Sequence, residues 1–275
     1  MDSVKRTQAY YDSTDADLFY RTAWGGEDIH IGLYSGRQPS VRAAGRATVD
    51  HMLRLLPAEN SHQQVLDLGA GYGGAARHIV RQKVWKVTCL NLSNVENDYN
   101  RQRNREEGLT EKIDVVEGNF VEVPYGKNRF DIVWSEDAFL HSSAKKQVLA
   151  EAYRVLKPGG ILLFTDPMQA DTCPANVLGP ILQRLQLEEL ASPAFYRQAA
   201  RQVGFATTQF FDLSQHLTRH YQAILQALHE HETELQQKGC SADYLTNMAN
   251  GLEHWIKGGQ KGWLSWGIFR MRKPK

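Results

Sequence analysis

From Gln64 onward, short apolar runs alternate with segments of helical character, the pattern of βαβ units around a parallel sheet. The strands this predicts are VLDL at 65–68, KVTCLNL at 86–92, IDVVEG at 113–118, FDIVWS at 130–135 and GILLFTD at 160–166. Helices are expected at about 74–82, 94–107, 144–156 and 194–203, and KPGG at 157–160 reads as a helix stop and turn before the fifth strand. TTQFFDL after Phe205 and WLSWGIFRM at 263–271 supply two further strands, which makes seven. The polar helical stretch between them, 216–257, is too long for an ordinary connection and predicts a lid. Ahead of the first strand, residues 1–60 mix polar helical pieces, an aromatic stretch from Phe19 to Tyr34 and a helix from Val41 to Leu56 that stops near Pro57. The expected architecture is α/β: a mostly parallel seven-stranded sheet with helices on both faces, formed by 61–275, under an N-terminal helical cap.

Composition narrows the function. At 42% hydrophobic and 23% charged residues, the 275-residue chain has the balance of an ordinary globular protein, without repeats or low-complexity tracts. Thirty-two basic against 31 acidic residues leave a net charge of +1, so nothing drives the chain toward nucleic acid or anionic lipid, and a small-molecule partner is expected. That balance also argues against adaptation to molar intracellular salt. Cys89, Cys173 and Cys240 lie too far apart for a metal pair or an iron–sulfur run, and no metal is expected. The N-terminus lacks an apolar export segment and no run approaches membrane-spanning length. The expectation is therefore a cytoplasmic monomer or homodimer.

The sharpest motif is VLDLGAGYGGAARHI at 65–79, where a strand ending near Asp67 passes through Gly69, Gly71, Gly73 and Gly74 into a helix. Glycines let the backbone turn tightly and let a ligand approach it. Gly69, Gly71 and Gly74 also satisfy GxGxxG, so a nicotinamide dinucleotide must be weighed. Such a loop usually opens its domain and finds an acidic ribose partner about 20 residues on. Here it follows some 60 residues, and the second strand ends in Asn91. The run resembles motif I of the class I S-adenosylmethionine-dependent methyltransferases, and LKPGG at 156–160 is similar to the turn before their fifth strand.

A narrower resemblance runs through YYDSTDADLFYRTAWGGEDIHIGLY (10–34), LDLGAGYGGAARHIV (66–80), IVWSEDAFLHS (132–142), RVLKPGG, TDPM (165–168) and GLEHWIKGGQKGWLSWG (251–267). Together these resemble the sarcosine/dimethylglycine N-methyltransferases, which make the osmolyte glycine betaine. The resemblance implies a Rossmann-like fold, S-adenosylmethionine as cofactor, and sarcosine and N,N-dimethylglycine as amine substrates. It implies that Asp67 and Gly69, with Gly71, lie beside the methionine moiety, that Leu92 packs on adenine, that Asn119 and the Phe120 backbone read its amino edge, and that Ser135 meets the methionine end through its backbone. Asn91 stands where most of the superfamily has an acid holding both ribose hydroxyls. An amide can donate and accept but lacks the charge-assisted bond, so Ser93 or Asn94 is expected to assist.

Methyl transfer from a sulfonium needs an aligned nucleophile and a dry site. A dialkylamine with a pKa near that of lysine, about 10.4, is almost wholly protonated at neutral pH, and its ammonium form has no lone pair. The site must select the neutral amine, helped by the neighbouring sulfonium charge and by desolvation. His141, after the fourth strand, is expected to act as base or orienter with support from Asp166 at the end of the adjacent fifth strand. Glu136 and Asp137 are charged rivals that could simply cap the next helix. A quaternary ammonium product calls for aromatic faces. Candidates are Tyr10, Tyr11, Tyr20 and Trp24 in the cap and Trp255, Trp263 and Trp266 near the end, with Tyr20 and Trp24 preferred because they precede the GGED turn. The substrate carboxylate calls for an arginine, and Arg42, Arg46 and Arg197 stand open. Two other readings remain: an O-methyltransferase acting on a sugar or other hydroxyl, and a non-catalytic scaffold that keeps the fold. The intact glycines, His141 and Asp166 argue against the scaffold.

Overall fold

The computed structural model describes residues 3–36, 40–57, 62–185 and 187–275, so the cap boundary expected at residue 60 lies outside the described residues. Seven strands form one sheet: β1 (Gln64–Leu68), β2 (Lys86–Asn91), β3 (Ile113–Glu117), β4 (Phe130–Glu136), β5 (Leu156–Gln169), β6 (Thr207–Asp212) and β7 (Leu264–Arg272). Their order is β3-β2-β1-β4-β5-β7-β6; β7 alone runs antiparallel to its neighbours. Because the chain order reverses beside β1, crossovers leave β1 and β4 in opposite directions and open a crevice at their C-terminal ends.

Helices α1 (Ser3–Tyr11), α2 (Thr14–Thr22) and α3 (Val41–Arg54) precede the sheet, and α4 (Gly74–Gln82), α5 (Asn94–Glu106), α6 (Lys145–Val155), α7 (Gly179–Leu185), α8 (Pro193–Val203), α9 (Gln215–Gln237) and α10 (Ala242–Gln260) follow along the chain. Val49 and Met52 of α3 pack with Ala76 and Ile79 of α4 against one face of the sheet; Val148 and Leu149 of α6 and Tyr196 and Ala200 of α8 cover the other. The expected helix boundaries hold to within two residues because their caps are local chemistry. Ser93 accepts from Glu96 N, Ser192 accepts from Phe195 N with Pro193 at the first helical position, and Gly204 ends α8 at φ 111°.

KPGG departs from expectation. It does not stand outside the fifth strand: β5 begins at Leu156, and its pairing with β4 slips between Phe130 and Ile132. Gly159, at φ 82°, forms the irregularity and donates its N–H to the carbonyls of Lys273 and Pro274. The long insertion before the last strand is the helical hairpin α9–α10. Ser241 at its tip donates to the Asp15 carboxylate at 2.6 Å, which fastens the hairpin to the cap. A third core joins Phe19, Tyr20 and Trp24 of the cap to Tyr221, Leu228, Met248 and Trp255 of the hairpin.

Candidate functional site

A cavity opens at the C-terminal ends of β1, β2 and β4. Gly69, Gly71, Asn91, Leu92, Asn119, Phe120 and His141 from the sequence reading line it, together with Ile29 and Tyr11 from the cap. Asp67 and Ser135 do not. Both lie within their strands, short of the last residue, and face the interior. The Ser135 hydroxyl donates to Leu68 O at 2.6 Å, and the wall is made by Glu136, Asp137 and Ala138. Asp67 is buried beneath that wall, where desolvation first and the Glu136 charge second push its carboxyl well above the usual range.

The glycine loop is shaped by close approach. Gly69, Gly71 and Gly73 all hold positive φ, at 78°, 52° and 78°. A Cβ at Gly69 would overlap that of Ala138 across the crevice. The fully buried Arg77 ties the loop down from below, donating to Tyr72 O at 2.6 Å and to the Asn100 and Asn104 side chains, and it pairs with Glu27 of the cap at 2.9 Å.

Asn91 is not alone at the end of β2. Its Nδ2 donates to Oε2 of Glu96 at 2.8 Å, and Glu96 is buried on the cavity wall with Oε1 lacking any hydrogen-bond partner. Burial lifts this carboxyl to about 7, against the opposing Asn91 bond. Sequence reasoning missed Glu96. Ser93, which was expected to assist, is occupied: its hydroxyl donates to Asp12 at 2.7 Å and caps α5. The Asn119 oxygen accepts from Val121 N at 3.0 Å and so forms its turn, which leaves the amide NH₂ and one oxygen lone pair for a ligand.

His141 closes a short 3₁₀ turn, Phe139–His141, and its Nε2 lies 3.0 Å from the Tyr11 hydroxyl. Burial, then the charges of Lys145 and Arg184, lower the imidazole to about 4, so it is neutral at physiological pH. Asp166 does not contact it. That carboxylate accepts from Tyr196 OH at 2.7 Å and Leu140 N at 2.8 Å, and so holds the turn that carries His141; burial raises it to about 7. Nor do Glu136 and Asp137 cap the following turn. Asp137, at φ 50°, accepts from Ile31 N at 2.6 Å and Trp266 Nε1 at 2.9 Å, and Glu136 accepts from Trp134 Nε1 at 3.0 Å and faces His30 Nε2 at 3.3 Å. These bonds lock the cap onto the sheet edge. Burial opposes charge on His30, but Glu136, Asp28 and Asp137 outweigh it and raise the imidazole above its usual value.

Of the expected cage aromatics, Tyr11 alone reaches the cavity wall. Tyr20 stacks behind it, with centroids 5.8 Å apart, and its hydroxyl meets that of Tyr10 at 3.1 Å; Trp24 packs edge-on to Tyr20. Trp255 stacks on Tyr221 at 4.9 Å, while Trp266 is spent on Asp137. The three candidate arginines fall away. Arg42 is exposed, Arg46 is bound to Asp28 at 2.7 Å, and Arg197 lies 3.8 Å from Asp171 on the far side of the sheet end.

Residues 66–164 match the family model of a methyltransferase domain. The chain is 48% identical to a sarcosine/dimethylglycine N-methyltransferase of Halorhodospira halochloris, covering 98% of this chain and 97% of the relative, and 45% identical to that of Aphanothece halophytica over 98% of each. The chain belongs to the sarcosine/dimethylglycine N-methyltransferases. A crystal structure from Galdieria sulphuraria, provisionally described as a sarcosine dimethylglycine methyltransferase, superposes on this N-methyltransferase with a TM-score of 0.91 at 41% identity, covering 96% of this chain and 99% of that one. A cyclopropane synthase from Mycobacterium tuberculosis superposes at 0.86 with 20% identity, over 98% of both chains, and shares the fold alone. Acceptor chemistry in this N-methyltransferase is therefore a matter of the side chains above the crevice, not of the sheet.

Proposed function

We propose that this enzyme transfers methyl groups from S-adenosylmethionine to sarcosine and then to N,N-dimethylglycine, yielding glycine betaine for osmoprotection. The observation that carries the reading is a neutral His141, held by Tyr11, where the cofactor crevice meets the aromatic core of cap and hairpin. The residues present fit the cofactor: a glycine loop with no room for a side chain at Gly69, apolar Leu92 and Phe120, and in Glu96 Oε1 a buried acceptor without a partner. Glu96 with Asn91 would hold the ribose hydroxyls, restoring the acid that the end of β2 lacks. When bound, S-adenosylmethionine supplies an electrophilic methyl group on a sulfonium.

The chain's own part is to admit the amine without its proton. The burial that, with the charges of Lys145 and Arg184, lowers His141 to about 4 also disfavours an ammonium ion, so the neutral amine is the form that enters. At about 4, His141 is too weak a base to deprotonate an ammonium near 10. Its task is to accept from Tyr11 and orient that hydroxyl. Dimethylglycine then has no proton to lose, because its methylated nitrogen is quaternary. Tyr11, with Tyr20 and Trp24 behind it, supplies faces suited to that cation.

The cap and sheet residues that line the cavity come from one chain, so a monomer or homodimer suffices, and the α9–α10 hairpin, fastened to the cap at Asp15, serves as the lid. Among the described residues no helix is long and apolar enough to cross a membrane, which accords with a cytoplasmic enzyme. Mass-based assay of sarcosine, dimethylglycine and a panel of sugars and other hydroxyl compounds tests the reading. Turnover of the two glycine derivatives is expected; methylation of a hydroxyl with neither amine consumed would replace it by the O-methyltransferase reading.

A further inference from the structure

Arg184, whose charge bears on His141, sits near the end of α7, half-buried, against the face of α10 that carries Met248 and Gly251. Its Nη2 donates to the Met248 sulfur at 2.8 Å. A Cβ at Gly251 would overlap the Cδ and Nε of Arg184, so the missing side chain is the opening in which the guanidinium lies. Among the described residues Arg184 has no carboxylate partner, whereas Arg46, Arg77, Arg103 and Arg154 are each paired. Its charge bears on Tyr10, Tyr20, Tyr221 and Tyr244, and on Tyr11 and His141 at the cavity wall.

Among the described residues the one acceptor of this half-buried guanidinium is a thioether, so most of its five donors are unspent. None of its nitrogens is both sealed from solvent and without a partner, so those donors are open to a ligand. A cation near a site that receives an amine also repels any ligand carrying positive charge alone. A ligand that brings its own anion answers both features, and the planar fork of an arginine matches a carboxylate in two-point geometry.

We propose that Arg184 anchors the substrate carboxylate, so that the enzyme takes N-methylated α-amino acids and rejects the corresponding uncharged amines. This rests on the reading of the substrate given above. Anchoring the carboxylate at α7 leaves the nitrogen, two bonds away, toward Tyr11 and His141. Gly251 is then a specificity position: any side chain there moves the guanidinium.

The test compares N,N-dimethylglycine with N,N-dimethylglycinamide, using wild type, Arg184→Met and Gly251→Ala, and records KM, kcat and the affinity for S-adenosylhomocysteine by calorimetry. Wild type should prefer the acid by about 100-fold in kcat/KM. Arg184→Met should raise KM for the acid by about 100-fold while leaving the amide within threefold and S-adenosylhomocysteine affinity unchanged; Gly251→Ala should shift the acid in the same direction by about tenfold. Should Arg184→Met fail to bind S-adenosylhomocysteine, the wild-type acid-to-amide ratio and Gly251→Ala decide. A wild type indifferent to the carboxylate, or an Arg184→Met variant within threefold of wild type for the acid, overturns the proposal and leaves the substrate reading intact. A wild type that turns over neither sarcosine nor dimethylglycine overturns the substrate reading and this anchor with it.

Discussion

The hydroxyl of Tyr11 stands 3.0 Å from Nε2 of His141, joining the first helix of the cap to the turn after β4. Burial, with Tyr10 and Glu96 adding to it, pushes the phenol far above its usual range, so Tyr11 is the donor and the neutral imidazole the acceptor. The proton of His141 is thereby placed on Nδ1. Tyr11→Phe removes the bond and the fixed tautomer, and kcat/KM for dimethylglycine should fall by about 3- to 30-fold with cofactor affinity unchanged. Nitrogen-15 shifts of His141 in wild type and variant check the tautomer directly.

The pH profile separates an amine-limited enzyme from a histidine-limited one. Since His141 titrates near 4, the activity at saturating cofactor should show no break near 6.5. Instead kcat/KM for dimethylglycine should climb about tenfold per unit from pH 7 toward the amine's own value near 10. A plateau beginning at pH 7 would mean that a protein base sets the rate.

Glu96 trades stability for binding. Its carboxyl titrates at about 7 in the fold against 4.5 when exposed, so the fold favours the protonated form; that contribution is complete below 4.5 and lost as pH rises through 7. Glu96→Gln should therefore stabilise the ligand-free enzyme at pH 8 by about 3 kcal/mol and leave it unchanged at pH 4. The same variant should bind S-adenosylhomocysteine about tenfold more weakly. Thermal melts at the two pH values and one titration calorimetry series measure all three numbers.

Asp166 supports His141 through the backbone and not through the ring. Asp166→Asn keeps an acceptor for Leu140 N but disturbs the 2.7 Å bond from Tyr196, which is buried. Stability should fall by about 1–3 kcal/mol. The pH profile for dimethylglycine should keep its shape. A new break near 6.5 in this variant would show that the two side chains are coupled after all.

Gly69→Ala meets two obstacles together, a left-handed φ of 78° and the Ala138 side chain across the crevice. A loss of at least 100-fold in S-adenosylhomocysteine affinity is expected, with a smaller drop in melting temperature, because the loop must back away from the ligand it cradles.

Much of this was legible along the chain. Strands β1, β2 and β4 are mainly apolar runs bounded by turn residues, as strands inside a parallel sheet have to be, whereas β3 at the edge is partly exposed. Gly73 and Gly74 announce where α4 starts. Glu96 was not legible as a site residue: S-x-x-E at 93–96 is also the spacing of a capping box, in which the acid would reach back to the helix N-terminus. Ser93 does cap, but the Glu96 carboxylate turns to Asn91 and the cavity instead. Local spacing cannot show that a neighbouring strand end offers a better donor. The pairing of His141 with Asp166 failed for a related reason. Adjacent strands bring the two residues close, yet Tyr196, thirty positions further on, reaches Asp166 from α8.

The sequence by itself determined the sheet, the glycine loop, the helical insertion and the kind of chemistry, because each depends on residues near one another or on an apolar period repeated along the chain. Tertiary structure alone decided which groups face the crevice. Tyr11 and His141 are 130 residues apart, and Arg184 meets Met248 across 64. Whether an acid, an imidazole or a guanidinium keeps its charge, finds a partner or is left without one depends on what burial removes and what the fold brings back. No window of sequence contains either quantity.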